Sequence, residues 1–434
     1  MRRTPAAAAL AVLAVSVLGC QESDPTSVEG SLVPVAPQTV EVVLSWDAFG
    51  DSVQILGGFG SVDDLVLDVV ALDFRGELDA RALVRFGNFP LGASVTDPSG
   101  TTRTDTLFSF LGGRVVARID TFRTKIREPL DLSLSVLRED WHSPSATWEV
   151  KVDTVLDRTP WDEPGAGPAT PVASARWDPA AGDSVVFALD SATVALFADT
   201  TGIRYSARID MLTPGAMVEI IGFDLRLDAR PSLNPDTVVV LNAPEDETTF
   251  VFFPFPEPPP DGIRAGGAPA WRTILALDVP RVLNGPSSLC DQVGCPFELT
   301  PERLNHASLV LTSRPSQPTA FQPTDSLLLD VRPVLVPERL PKAPLGPSFL
   351  NVFGLAVDPD VFGETAGVRI PITVTEFVRA LLDPESADEA PSTLALLSLL
   401  EPFTIGYGDF DGPGDPGEPR LRLILTASDP VEIR

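Results

Sequence analysis

The sequence predicts an all-β protein built from two tandem antiparallel, jelly-roll-like β-sandwiches, each with one short helix. Three observations carry this. From Thr39 onward the chain breaks into short segments, among them "TVEVVLSW", "ARALVRF", "RVVARID", "LDLSLSVL", "WEVKVDTVL", "DSVVFAL" and "DTVVVLN". Each alternates or runs apolar between Gly, Pro, Asp or Asn residues, as strands do when one face meets a core and the other meets water. The 44 prolines in 434 residues are about twice the usual ~5%, a density that suits strands and turns better than long helices. Finally, the second half repeats the first. Markers at residues 81, 114, 131, 184 and 234 find counterparts at 272, 306, 325, 369 and 417. Their spacings of 33, 17, 53 and 50 residues parallel spacings of 34, 19, 44 and 48, which chance rarely gives.

Taken in order, residues 20–38 are polar, interrupted by proline and without periodicity, and read as a tether. The first sandwich is expected over 39–244 and the second over 245–434, with the seam near "NAPEDETT" at 242–249. The proline run "FPFPEPPPDG" reads either as an early loop of the second sandwich or as the linker itself. Two segments depart from the β pattern. In "TEFVRALL" (375–382), Phe377, Val378, Ala380, Leu381 and Leu382 fit a helix, with Thr375 able to cap it and Glu376 in its first turn. "SATVALFAD" at 191–199 is its weaker twin.

The N-terminus opens with Arg2 and Arg3 and continues as "AAAALAVLAVSVLG", an apolar stretch too short to span a bilayer. It ends in "VLGC", which resembles the lipobox of bacterial lipoproteins. The resemblance implies that residues 1–19 are a signal peptide and that Cys20 is acylated, giving stable attachment to a membrane. Gln21 in place of Asp implies an outer-membrane or cell-surface location. An ordinary secretory signal with a chance cysteine is the alternative.

The formal charge is −28. Losing Arg2 and Arg3 with the signal leaves 30 basic residues against 60 acidic ones, or −30. Such a chain repels nucleic acid and anionic lipid headgroups, so neither is expected as a partner. Beyond Cys20 the only cysteines are Cys290 and Cys295 in "CDQVGC". In an oxidising envelope so close a pair reads as a disulfide; a metal site would need more ligands than His306 supplies.

"RALVRF" with Arg81, Leu83 and Phe86, the "TW" of Thr147 and Trp148, and a last strand with Pro419, Leu421 and Leu423 together resemble the DNRLRE-domain proteins. These are bacterial extracellular β-sandwiches grouped with carbohydrate-binding modules. The second half lacks the "TW" turn, and neither half carries the DNRLRE string. The resemblance implies a jelly-roll fold and polysaccharide binding, with no catalytic residue to carry over.

Candidate chemistry is sparse. "GDS" at 50–52 and 182–184 has no histidine in a fitting position and reads as the turn before a strand. Glu139, Asp140, Asp162 and Glu163 offer carboxylates for glycoside cleavage, but that chemistry needs a defined separation and one raised pKa; solvated loop acids are the expected reading. The Asp-rich "GDFDGPGDPGEP" at 408–419 gathers Asp409, Asp411, Asp415 and Glu418, oxygen ligands of the kind that hold Ca²⁺, but it lacks EF-hand spacing and reads first as a metal-free hairpin loop. No metal and no cofactor is expected.

"REDWHSPSATWEV" at 138–150 holds two of the six tryptophans and one of the two histidines. With Trp161 nearby, Trp141 and Trp148 either plug the open end of a sandwich or stack sugar rings, with Asp140, Asp162 and Glu163 bonding hydroxyls. The expectation is therefore a lipid-anchored envelope protein, non-catalytic, that binds or adheres, with polysaccharide the leading ligand class. The alternatives are a purely structural lipoprotein and, behind it, a carboxylate-dependent glycan-cleaving enzyme.

Overall fold

The computed structural model describes residues 39–427 apart from 58–66, 88–91, 125, 155, 199–203, 269, 386–389, 400 and 402–403. The signal, Cys20 and the tether lie outside the described residues. Every strand pairing is antiparallel, and the strands form sheets that enclose two large apolar cores. Among the described residues no helix is long and apolar enough to cross a membrane.

The first unit is a nine-stranded sheet. Its path runs through Ala169–Trp177, Leu130–Leu137, Ser206–Met211, Leu78–Phe86, Val239–Phe253, Ala216–Pro231, Phe108–Ile119 and Ser184–Asp190. Asp68–Phe74 lies against 216–231 and 78–86. The two end strands of this path are joined by residues 178–183 alone. At about 3.5 Å per residue that connection spans little more than 20 Å, so the sheet must curl until its ends meet. Val84, Val115, Leu134, Phe187, Ile209 and Leu225 fill the interior. The alternation along 184–190, where Val185, Phe187 and Leu189 are buried and their neighbours are not, is what the sequence pattern required.

The second unit is a two-sheet sandwich. One sheet orders Thr39–Leu44, Arg420–Thr426, Leu304–Arg314, Tyr407–Asp411 and Gly262–Gly266, with Arg369–Thr373 on 304–314. The other orders Gly50–Leu56, Arg272–Leu277, Thr393–Ser398, Leu327–Pro333 and Leu355–Val357. Leu275, Leu309, Leu329, Leu396 and Leu423 pack between them.

The expected boundaries need correction at both ends of the first unit. Residues 39–56 belong to the second: Val42 pairs with Leu423, and Val53 with Leu275. The expected seam at 242–249 is the middle of a long strand, Val239–Phe253, whose first part pairs with 216–231 and whose later part pairs with 78–86. The two units nevertheless share a plan. The order 78–86, 206–211, 130–137 recurs as 272–277, 393–398, 327–333, and the order 216–231, 108–119, 184–190 recurs as 420–426, 304–314, 369–373. The long strand 239–253 then corresponds to 39–44 plus 50–56, which pair with 420–426 and 272–277. A register shift between Glu245 and Glu247 turns the corner in one unit, and the helical turn Trp46–Phe49 turns it in the other. The marker at 234 therefore matches residues 39–56 rather than 417.

Both expected helices form, at Ser191–Ala198 and Thr375–Leu382. Two shorter ones, Trp46–Phe49 and Ser287–Val293, join them. Thr375 does not cap. Its hydroxyl accepts the Ala307 N–H at 3.0 Å, pinning the helix to strand 304–314 while Phe377, Val378 and Leu382 enter the core. Cys290 and Cys295 are joined as a disulfide.

The units meet on a third apolar cluster, with Val69, Ala71, Leu78, Ala80 and Phe250 from the first and Trp271, Phe321, Ile405 and Tyr407 from the second. Arg75 donates to the Thr319 carbonyl at 2.5 Å, and the Ala320 N–H donates to Glu77 at 3.1 Å. Glu219 lies opposite Val69 and is buried there. Burial pushes its pKa up to about 7 from 4.5; Arg123, at 3.9 Å, opposes the rise, while Asp120 and Asp325 add to it. A raised folded pKa contributes stability that is complete below 4.5 and is lost as pH rises through about 7. We expect denaturant stability to fall by about 3 kcal/mol between pH 4.5 and 8 on account of this group. Comparing Glu219→Gln with the native chain across that range isolates the contribution. Parallel curves for the two proteins would remove Glu219 as its source.

Candidate ligand-binding cleft

The tryptophan turn is held by arginines that rise from the sheet beneath it. Arg81 and Arg85, four residues apart on strand 78–86, point from the same face of the sheet. Arg85 lies 4.5 Å from the Trp141 ring, bonds Asp140 at 2.6 Å and the Trp141 carbonyl at 2.9 Å, and also pairs with Glu247. Arg81 lies 4.6 Å from the Trp148 ring, bonds the Gly165 carbonyl at 2.5 Å and pairs with Asp210 at 3.3 Å. Burial, with Arg208 nearby, lowers the Arg81 pKa. Gly165 has a φ of +79°, and a Cβ there would meet Arg81 Nη1 at 2.6 Å and the Trp148 ring at 2.8 Å. Only glycine lets residues 162–167 fold this closely over the pair.

The expected site residues separate into two groups. Trp141 and Trp161 are buried with Leu83, Leu137 and Val251, and their indole N–H groups bond Ser206 Oγ and the Thr147 carbonyl, each at 2.8 Å. These two rings are structural plugs. Trp148 stays partly exposed and packs on Phe253 at 5.9 Å. Asp162 and Glu163 are exposed on the turn, and Asp140 points outward from Arg85 with its side chain 79% exposed. Glu139 is held by Lys151 at 2.5 Å. The "GDS" at 182–184 is the expected turn before a strand, with Ser184 bonded to Asp183.

Trp148 lines a cleft of about 1210 Å³ between the two units. Strand 239–253 ends at its wall and continues into Pro254 and Phe255. Alternation sends Phe250 and Phe252 toward the second unit and Phe253 toward Trp148. Phe253 and Phe255 remain 50% and 51% exposed. Phe252 stacks near Phe255 at 6.3 Å, and Phe255 packs on Trp271 at 5.9 Å. His142, Arg158, Lys342 and Glu401 supply polar groups. His142 Nδ1 lies 2.7 Å from Ser145 Oγ, which also accepts the Asp153 N–H at 3.0 Å; both bonds close the turn. Glu401 is buried beside Arg272, bonded through both carboxylate oxygens, yet desolvation holds its pKa above the usual value.

The sequence reading missed Phe253, Phe255 and the contributions of the second unit at Ala268, Ala270, Pro341 and Lys342. The run "TTFVFFPFPEPPP" contained the signal, since aromatic residues at that density are out of place in a plain linker. In the Asp-rich loop, Asp409 is buried against Arg264 at 2.7 Å, while Asp415 accepts the Gly412 N–H at 2.9 Å and faces Arg314 at 3.6 Å. No family profile matches the chain, and no curated protein sequence matches it.

Proposed function

We propose that the chain is a lipid-anchored envelope protein that binds polysaccharide in the cleft between its two units, without catalysing a reaction. The observation that carries this is the aromatic wall of Trp148, Phe253 and Phe255, left partly open to water around a cleft of about 1210 Å³. Flat apolar rings held rigid from behind can stack on sugar faces, and a few polar groups can bond hydroxyls. The stacking role thus passes from Trp141 and Trp161 to Trp148 and its phenylalanine neighbours. Lipid anchoring rests on the "VLGC" motif, and Gln21 after the cysteine favours the outer membrane or the cell surface for such a site.

The burial of Trp141 and Trp161 also favours a second reading, a structural lipoprotein whose aromatic residues serve only packing. Glycan cleavage is less favoured, because Glu139 and Asp140 are engaged by Lys151 and Arg85.

Retention of the native chain and its variants on polysaccharide columns separates the readings. Trp148→Ala should weaken retention by about 0.5–1.5 kcal/mol, or roughly two- to tenfold, because one exposed ring stops stacking. Trp161→Ala should instead cost about 3–5 kcal/mol of folding stability through the cavity it leaves. A native chain that no polysaccharide retains would leave the structural reading. Retention unchanged by Trp148→Ala and by Phe253→Ala would move the site out of the cleft.

A further inference from the structure

The second unit carries an exposed apolar projection whose base packs on its core. Residues Asn351–Gly354 form a tight turn in which Asn351 Oδ1 accepts the Phe353 N–H at 2.8 Å and the Gly354 N–H bonds the Asn351 carbonyl at 2.9 Å. Val352 and Phe353 occupy its tip and are 85% and 76% exposed. The base is firmly seated. The Phe349 N–H bonds the Val331 carbonyl at 3.0 Å, the Phe349 ring packs on Phe377 at 5.7 Å, and Ser348 bonds Asp330. Gly354, at a φ of +64°, lies so close to strand 327–333 that a Cβ would meet the Leu329 carbonyl oxygen at 2.5 Å. A rigid turn that holds a valine and a phenylalanine in water bears a continuing solvation cost.

The surroundings are equally unusual for this chain. Residues 343–357 contain no charged side chain, in a sequence whose formal charge is −28. Leu335, whose N–H bonds the Pro344 carbonyl at 3.0 Å, adds a half-exposed apolar side chain beside the base. An exposed, uncharged apolar tip on a chain of such acidity suits an apolar, uncharged medium. The lipidation motif supplies the medium: 19 residues from Cys20 to Gln38, at up to ~3.5 Å each, hold the folded body within about 65 Å of the bilayer.

We propose that the Val352–Phe353 turn is a second membrane contact, inserting its two side chains among the outer acyl segments of an uncharged or zwitterionic lipid surface. One short apolar tip binds lipid weakly by itself, but a tethered body presents it at high effective concentration. The contact fixes which face of the second unit lies on the membrane. It rests on the lipid-anchor reading, and the test below separates the two.

The lipidated full chain carrying Val352→Cys, labelled with an environment-sensitive dye, is reconstituted in phosphatidylcholine vesicles containing acyl-chain nitroxide lipids. Leu156→Cys, on a 97% exposed residue of the first unit, is the control. With Cys290 and Cys295 bonded to each other and Cys20 acylated, the new thiol labels alone. We expect the label at 352 to shift to the blue and be quenched at least about threefold more than the label at 156, and Phe353→Cys to behave as Val352→Cys does. Equal quenching at 352 and 156, in a chain that sediments with the vesicles, overturns the tip and leaves the anchor. A chain that does not sediment with vesicles overturns both.

Discussion

A chain beginning at residue 245 is expected to remain unfolded, even though it contains most of the strands of the second sandwich. The missing piece is residues 39–56. Thr39–Leu44 covers one edge of the first sheet, Gly50–Leu56 covers one edge of the second, and the turn between them closes that side of the core. Val40, Val42, Trp46 and Phe49 are all buried. At about 1.5–3 kcal/mol for each buried large apolar side chain, their loss amounts to roughly 6–12 kcal/mol, against a typical whole-domain stability of about 5–15 kcal/mol. Circular dichroism and urea melts of residues 245–434 should show no cooperative transition. Deleting 39–56 from the whole chain should abolish the second unit's transition too. Because Thr426 pairs directly with Thr39, moving 39–56 behind residue 426 through a two-residue Asn-Gly turn should restore it. Cooperative melting of 245–434 by itself would refute the completing role of the N-terminal strands.

Removing the carboxylate of Asp409 is expected to be among the most costly single substitutions. Arg264 is 1% exposed and bonds Asp409 twice, at 2.7 and 2.9 Å, with its remaining donors on the Glu257 and Gln317 carbonyls at 2.8 Å. Its guanidinium lies 3.9 Å from the Tyr407 ring, whose phenol burial pushes above its ordinary pKa. Asp409→Ala leaves this cation buried without its counter-charge, a loss of about 3–5 kcal/mol by analogy with other broken buried pairs. The double variant Arg264→Met/Asp409→Leu removes both charges and should recover most of that loss. Urea midpoints for the two variants measure the difference. If the double variant is no more stable than the single one, the loss lies in packing rather than in an unpaired charge.

Local texture was legible in the sequence; partner choice was not. The helices at 191–198 and 375–382, the alternating strands and the Cys290–Cys295 bond each depend on neighbours within a few residues. The placement of 39–56 depends on strands at 272–277 and 420–426, and nothing in "TVEVVLSW" distinguishes an edge of one sandwich from an edge of the other. "NAPEDETT" reads as a seam because it lies between the two sets of repeat markers. Its acids are spent on neighbouring strands instead: Glu245 accepts the Phe223 N–H at 2.6 Å, Asp246 pairs with Arg204 at 2.5 Å, and Glu247 pairs with Arg85. The cleft was half legible. Trp148 lies where the "TW" motif drew attention, but whether Trp141 and Trp161 were exposed depended on residues 162–167 folding back over them. The far wall, from Ala268, Ala270, Pro341 and Lys342, comes from a different unit.

The pairing of the first described strand with the last also sets a schedule. Glu41 and Arg422, which bond at 2.7 Å across that pairing, are 381 residues apart in the chain. At typical synthesis rates of about 5–20 residues per second, the opening strand waits roughly 20–75 s for its partner. The first unit can close meanwhile, since its strands lie between residues 68 and 253. The second cannot, and nonlocal closure of this kind is slow in its own right. About half of the chain's mass thus stays unable to mature until synthesis is nearly complete. The same delay leaves the apolar strands of 262–427 exposed to self-association, so any holding factor the cell supplies has its longest task there.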